Sequence, residues 1–196
     1  MIYTLVASAF WGLSGVFAQY LFQHKGIEPA WLVTLRLLIP GAILMIIVYL
    51  RSRRNGVDFI GVWKESPFGM VLYSIFGVMA IQLTYFIAVK YSNAPTATVI
   101  QYLSPVIVAV TTVVMTRRLP SKRIILAITV ALLGTFLIAT HGNFSELVIS
   151  TKALFWGFLS AVSAAFYAMF PVKMVRKWGA MAVLGSGMLF SGVLIS

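Results

Sequence analysis

Hydrophobic residues run in seven long, nearly uncharged stretches along this chain: Ile2–Leu21, Ala30–Leu50, Gly69–Val89, Ala94–Met115, Ile124–Thr140, Leu154–Met174 and Met181–Ser196. A helix rises about 1.5 Å per residue, so about 20 apolar residues cross a hydrocarbon core roughly 30 Å thick. Six stretches meet or approach that length, and the seventh is shorter. The runs are continuous, whereas a barrel would show alternating runs of about 10 residues. The pattern therefore predicts an all-α integral membrane protein, a multi-helix bundle with short connections. The first stretch has no basic start and is too long for the apolar core of a signal peptide, so it reads as a retained helix.

Composition sharpens this reading. Hydrophobic residues make up 61% of the chain and charged residues 10%. A soluble domain of this size could not hide that much apolar surface. Cysteine is absent, which excludes disulfides, thiol catalysis and cysteine-based zinc sites. A net charge of +11 would suggest nucleic acid in a soluble protein. Here the charges sit in the connections between stretches, so no nucleic-acid partner is expected, and the partner is the lipid bilayer. Arg51, Arg53, Arg54 and Lys64 follow the second stretch. Arg117, Arg118, Lys122 and Arg123 follow the fourth, and Lys173, Arg176 and Lys177 precede the seventh. The alternate connections carry only Lys25, Lys90 and Lys152. Basic residues accumulate in cytoplasmic loops, so the N-terminus is expected in the cytoplasm of a cell (plasma) membrane protein.

Two parts of the chain look alike. Ala9-Phe10-Trp11 resembles Ala165-Phe166-Tyr167, and Pro40-Gly41-Ala42-Ile43-Leu44 resembles Ser191-Gly192-Val193-Leu194-Ile195. Five predicted helices separate the copies. Five is odd, so the second copy enters the bilayer from the opposite side, as in the inverted repeats of secondary transporters.

Polar residues within the stretches are the candidates for function, because burying them in lipid is costly. Arg36 lies about eight residues past Glu28, hence ~12 Å into its helix. No acidic residue lies in any stretch to pair with it. It must find backbone carbonyls, water, Glu28 or an anionic ligand. In the fourth stretch Ala97, Gln101, Ser104 and Thr111/Thr112 recur at helical spacing, and Pro105 is expected to kink the helix and free the carbonyl near Gln101. That stripe serves either a cavity or helix packing. Trp11 sits mid-helix, away from the interfaces that Trp favours. The third stretch offers Ser74, Gln82 and Tyr85, spaced to share a face, and the sixth offers Ser160, Ser163 and Tyr167. Gly12 and Gly15 share a face with Ser8 and Gln19, a spacing that suits close helix packing. No acid, base and nucleophile converge on one face. No enzyme activity, metal site or cofactor is expected.

Taken in order, several pieces carry a resemblance. They are Ala9-Phe10-Trp11-Gly12, then Arg36-Leu37-Leu38 with Gly41. Next come the spaced Tyr85, Ala88, Tyr91, Ala94 and Ala97 running into Gln101-Tyr102-Leu103-Ser104-Pro105. Gly134-Thr135-Phe136-Leu137-Ile138 and Ala164-Ala165-Phe166-Tyr167 complete the set. The chain resembles the EamA-type transporters of the drug/metabolite transporter superfamily. The resemblance implies two inverted five-helix repeats, ten helices in all. A first repeat would cover residues 1–141 and a partial second repeat residues 152–196. It implies a transporter (permease or exporter) of small metabolites such as amino acids, working by alternating access as the repeats rock around a central site. Trp11, Gln82, Tyr85, Gln101 and Ser104 would line that cavity, with Arg36 a further candidate. The acid that the family usually carries after the fourth helix is replaced here by Met115-Thr116-Arg117-Arg118. Against a ten-helix plan the chain is expected to be a fragment, and a homodimer is one way to supply the missing wall. The alternative is a non-transporting membrane scaffold or a nonfunctional truncation product.

Overall fold

Every stretch marked by the hydrophobic pattern falls on helix in the computed structural model, which describes residues 2–55, 60–140 and 150–196. The helices are α1 (Ile2–His24), α2 (Pro29–Asn55), α3 (Gly61–Glu65), α4 (Pro67–Lys90), α5 (Ala94–Gln101), α6 (Ser104–Thr116), α7 (Lys122–Thr140), α8 (Thr151–Met169), α9 (Val172–Trp178) and α10 (Ala180–Ile195). No strand occurs among the described residues. Helices suit the bilayer because each satisfies its own backbone hydrogen bonds. Among the described residues four spans are long and apolar enough to cross: Pro29–Arg53, Pro67–Lys90, Ala94–Thr116 and Thr151–Met169. Counting α9 and α10, bent by 118°, as one span makes five. Phe10, Phe17, Ile46, Phe68, Val114 and Met115 are exposed, an arrangement suited to lipid rather than water.

Three helices depart from the regular pattern, each for a physical reason. The sixth stretch does not run to Met174. It ends at Met169 because Pro171 lacks the N–H that would continue the ladder and disfavours helix at the residue before it. The chain then turns again at Gly179, whose φ of +83° suits glycine, and α10 sets off in a new direction. The fourth stretch breaks at Tyr102–Leu103. Pro105 stands in the first turn of α6, where its missing N–H costs little. Within α4, Tyr73–Met79 forms a π turn, marked by the Ala80 N–H reaching the Ile75 carbonyl. Such turns rotate the register of everything beyond them and recur at functional sites.

The residues divide into two compact units. The first comprises Met1–Pro29 and Thr84–Val162, and so holds α1, the end of α4, α5 to α7 and the start of α8. Phe22 packs edge-on against Phe86, with ring centroids 5.8 Å apart. The end of α1 is tied to the start of α5: Gln19 Oε1 accepts from the Ala94 N–H at 2.7 Å, and Gln23 Nε2 donates to the Ser92 carbonyl at 3.2 Å. Asn93 caps α5 through the Thr96 N–H at 2.8 Å. Gly12 and Gly15 serve differently. A Cβ at Gly15 would lie 3.0 Å from the Tyr85 hydroxyl, whereas one at Gly12 would meet nothing within 4 Å. Gly134 is likewise open, and Gly157 is not: its Cβ would lie 2.8 Å from Ile100 Cγ2. Gly134→Ala is therefore expected to be neutral or to stabilise by up to ~1 kcal/mol through backbone entropy. Gly157→Ala should lower the thermal midpoint in detergent, and equal midpoints for the two variants would contradict this packing.

The second unit comprises Ala30–Leu83 and Ser163–Ser196. Here α2 crosses α10 at close range. A Cβ at Gly41 would lie 2.9 Å from the Leu189 backbone nitrogen, one at Gly192 would lie 2.7 Å from Leu38 Cδ2, and one at Gly185 would lie 2.8 Å from Leu44 Cβ. Small residues allow this approach where lipid supplies no hydrophobic drive. The π turn of α4 packs on α10 as well. Ser191 Oγ donates to the Ser74 carbonyl at 2.7 Å, while Ser74 Oγ donates to the Met70 carbonyl at 2.7 Å. The Tyr73 ring stacks on that of Tyr167 with centroids 5.7 Å apart.

Candidate functional site

The break between α5 and α6 organises the polar groups of the first unit. The Tyr102 N–H reaches the Thr98 carbonyl at 2.9 Å, and the Leu103 N–H takes the tighter route to Ile100 at 3.1 Å. Pro105 occupies the position whose N–H would serve the Gln101 carbonyl in an unbroken helix. Ser104, half-buried, opens α6.

Two side-chain contacts fan out from α5. Gln101 Nε2 donates to Ser160 Oγ on α8 at 2.7 Å, and Ser160 is wholly buried. One turn earlier, Thr98 Oγ1 stands 3.0 Å from Tyr85 Oη on α4. Thr98 donates its own proton to the Ala94 carbonyl at 2.7 Å, so Tyr85 is the donor to Thr98. Tyr85 is itself buried, its hydroxyl facing Gly15. The result is two separate pairs of hydroxyl and amide groups one turn apart on α5, in an apolar stretch of helix where such bonds are strong and misplaced polar groups are costly.

The remaining candidates lie elsewhere. Trp11 is on α1, but its side chain is outside the described residues, as are Asp58, His141 and Glu146. Gln82 is half-buried on α4 and belongs to the second unit. So does Arg36, half-buried on α2 beside the fully buried Val33 and Leu37, with its Nε sequestered. Glu28, considered above as a partner for it, is engaged by Lys90 at 3.0 and 3.1 Å. Of the stripe expected from Ala97 onward, Ala97 is buried and Gln101, Ser104 and Thr111 are half-buried, whereas Thr112 is exposed and turned back to the Val108 carbonyl at 2.7 Å. Ser160 was visible only as one polar position of its helix, and Thr98 was not singled out, although it stands three residues before Gln101 on α5.

A groove of about 480 Å³ runs between α6 and α7. Its lining is apolar apart from Thr129, whose hydroxyl donates to the Ile125 carbonyl at 3.0 Å. It offers lipid or an apolar chain a seat and a polar solute nothing. Among the described residues no three His, Asp or Glu side chains group as metal ligands.

The pattern that defines the EamA-like transporter family matches residues 1–140. The chain belongs to that family. It is 36% identical over 197 residues to the uncharacterized inner membrane transporter YicL of Salmonella typhimurium, an alignment that takes in 100% of this chain and 64% of that protein. It is 22% identical over 186 residues to an uncharacterized transporter of Archaeoglobus fulgidus, across 94% of this chain and 61% of the relative. The chain thus spans less than two thirds of the length of these EamA-like relatives. No solved structure matches it significantly. Family membership and the apolar spans together make it a multi-pass membrane protein.

Proposed function

We propose that this chain forms part of a secondary transporter that carries a small polar metabolite, such as an amino acid or a related compound, across the cell membrane by alternating access. The observation that carries this reading is the two hydrogen-bonded pairs Tyr85–Thr98 and Gln101–Ser160 beside a broken helix. Broken helices are the means by which transporters bring polar groups and backbone carbonyls to bear inside lipid. Tyr85, Gln101 and Ser104 are the proposed contacts to the solute, with Trp11, Gln82 and Arg36 as further candidates. The EamA-like family and the transporter names of its relatives support the same conclusion.

The N-terminus is proposed to be cytoplasmic, since eleven basic residues lie on one set of connections and three on the other. Contacts within each unit fit that alternation. Lys177, after the sixth stretch, pairs with Glu65, after the second, at 2.7 Å. Glu28 and Lys90, on the alternate connections, pair at 3.0 Å, and the Lys152 ammonium lies 5.0 Å from the centre of the Tyr91 ring. Residues assigned to one side of the membrane meet residues assigned to that same side.

Purified protein in sealed liposomes should exchange a labelled solute from an amino-acid and metabolite panel without ATP. Absence of counterflow for every member of such a panel would count against the proposal. Labelling of a marker at Arg117 by an impermeant reagent outside intact cells would reverse the orientation.

A further inference from the structure

The crossing of α2 and α10 is reciprocal. Aligning Pro40–Leu44 with Ser191–Ile195 makes Gly41 the counterpart of Gly192, and it makes Leu38 the counterpart of Leu189. A Cβ at Gly41 would press on Leu189, at 2.9 Å from its backbone nitrogen and 3.2 Å from its Cγ. One at Gly192 would press on Leu38, at 2.8 Å from its Cγ and 3.1 Å from its backbone nitrogen. Exchanging the two helices turns the first contact into the second. The pairing is also antiparallel: as α2 advances from Leu38 through Gly41 to Leu44, its partners on α10 retreat from Gly192 through Leu189 to Gly185. The two contacts exchange under a half-turn, as an inverted pair requires.

The interlock is tight in both directions. Each glycine faces the other helix's leucine, close to that leucine's backbone nitrogen as well as its side chain. Sliding one helix past the other would force a leucine over a residue with a side chain. Further ties hold α10 to the surrounding parts of the first repeat. Ser191 Oγ is bonded to the Ser74 carbonyl, and the Trp63 ring packs on Phe190 with centroids 5.2 Å apart. A Cβ at Gly187 would touch Ser74 Oγ and the Tyr73 ring, both at 3.4 Å. Packed cores of this kind switch between discrete arrangements or stay put; they do not yield by degrees.

We propose that α2 and α10, although they come from different repeats, travel as one rigid body through the transport cycle, so that the two repeats are not themselves the moving parts. The proposal rests on the alternating-access reading above and replaces the simplest version of it, in which one repeat rocks against the other.

The chain has no cysteine that could compete with engineered thiols. Arg51→Cys with Met181→Cys places two thiols near the end of the crossing without touching a glycine, where Arg51 Nη1 now lies 3.4 Å from Met181 Sδ. The protein in liposomes, cross-linked at this pair by oxidation or a short bis-thiol reagent, should keep at least about half its exchange rate. A tenfold or greater loss that reduction restores would overturn the rigid-body proposal and leave transport standing. Spin labels on the same pair supply a readout that needs no transport. One narrow distance in the membrane, unchanged by candidate solutes, is expected, and two populated distances would overturn the proposal. If the uncross-linked protein exchanges nothing while the distance stays single, transport fails and the rigid pair survives.

Discussion

Gln101→Ala is expected to weaken solute binding about tenfold, the equivalent of ~1.4 kcal/mol, while costing the fold only about 1 kcal/mol. The asymmetry follows from where Gln101 sits. Its amide donates to Ser160 Oγ at 2.7 Å at the end of α5, beside a break where polar groups converge. Once the amide is gone, Ser160 retains an easy alternative, because a helical serine can turn its hydroxyl back to the carbonyl one turn earlier. Among the described residues Ser74, Thr98, Thr112, Thr116, Ser92 and Ser186 do so at 2.6–2.7 Å. The buried orphan that makes most such deletions expensive is thereby avoided. A solute that used the amide has no such recourse. The check is a pair of measurements on the same preparation: half-saturation of exchange, and the thermal midpoint in detergent. Unchanged half-saturation with collapsed abundance would make Gln101 a packing residue alone.

Gly41→Leu should have the larger effect on stability. A leucine there must displace Leu189 backbone, and overpacking of a filled core costs roughly 1–3 kcal/mol, more where backbone blocks relaxation. Gly192→Leu meets Leu38 backbone in the equivalent way and should be as harmful. The two share one interface, so the double variant should lose less than the two single losses combined. Loss of the monodisperse species after detergent extraction is the expected result for each. A Gly41→Leu protein that behaves and melts like the parent would show that the helices do not cross as described.

Much of the architecture was legible because a bilayer imposes length. Long uncharged runs had to be helices, and they are. The break before Ser104 was legible for a similarly local reason: Pro105 removes a donor wherever it stands in a helix. Pro171 carries the same message, yet the apolar run continues past it to Met174 and masked the end of α8. Hydropathy reports lipid affinity and is blind to direction. The π turn at Tyr73–Met79 was hidden for another reason. Its geometry is supported by a hydroxyl from Ser191, more than a hundred residues away, and nothing in the local sequence specifies that partner. The same insertion invalidates simple periodicity across α4, so Ser74 and Tyr85 could not be placed on a common face by counting. At the candidate site the polar residue types were readable, since each is conspicuous in an apolar run. Their partners were not. Gln101 with Ser160 and Tyr85 with Thr98 are tertiary pairings, and of the four only Thr98 had drawn no attention.

The exchangeable contact between Gly41 and Leu189 on one side and Gly192 and Leu38 on the other couples the fates of four positions. Neither glycine can enlarge without its opposite leucine giving way, so a tolerated change at one position calls for a compensating change on the facing helix.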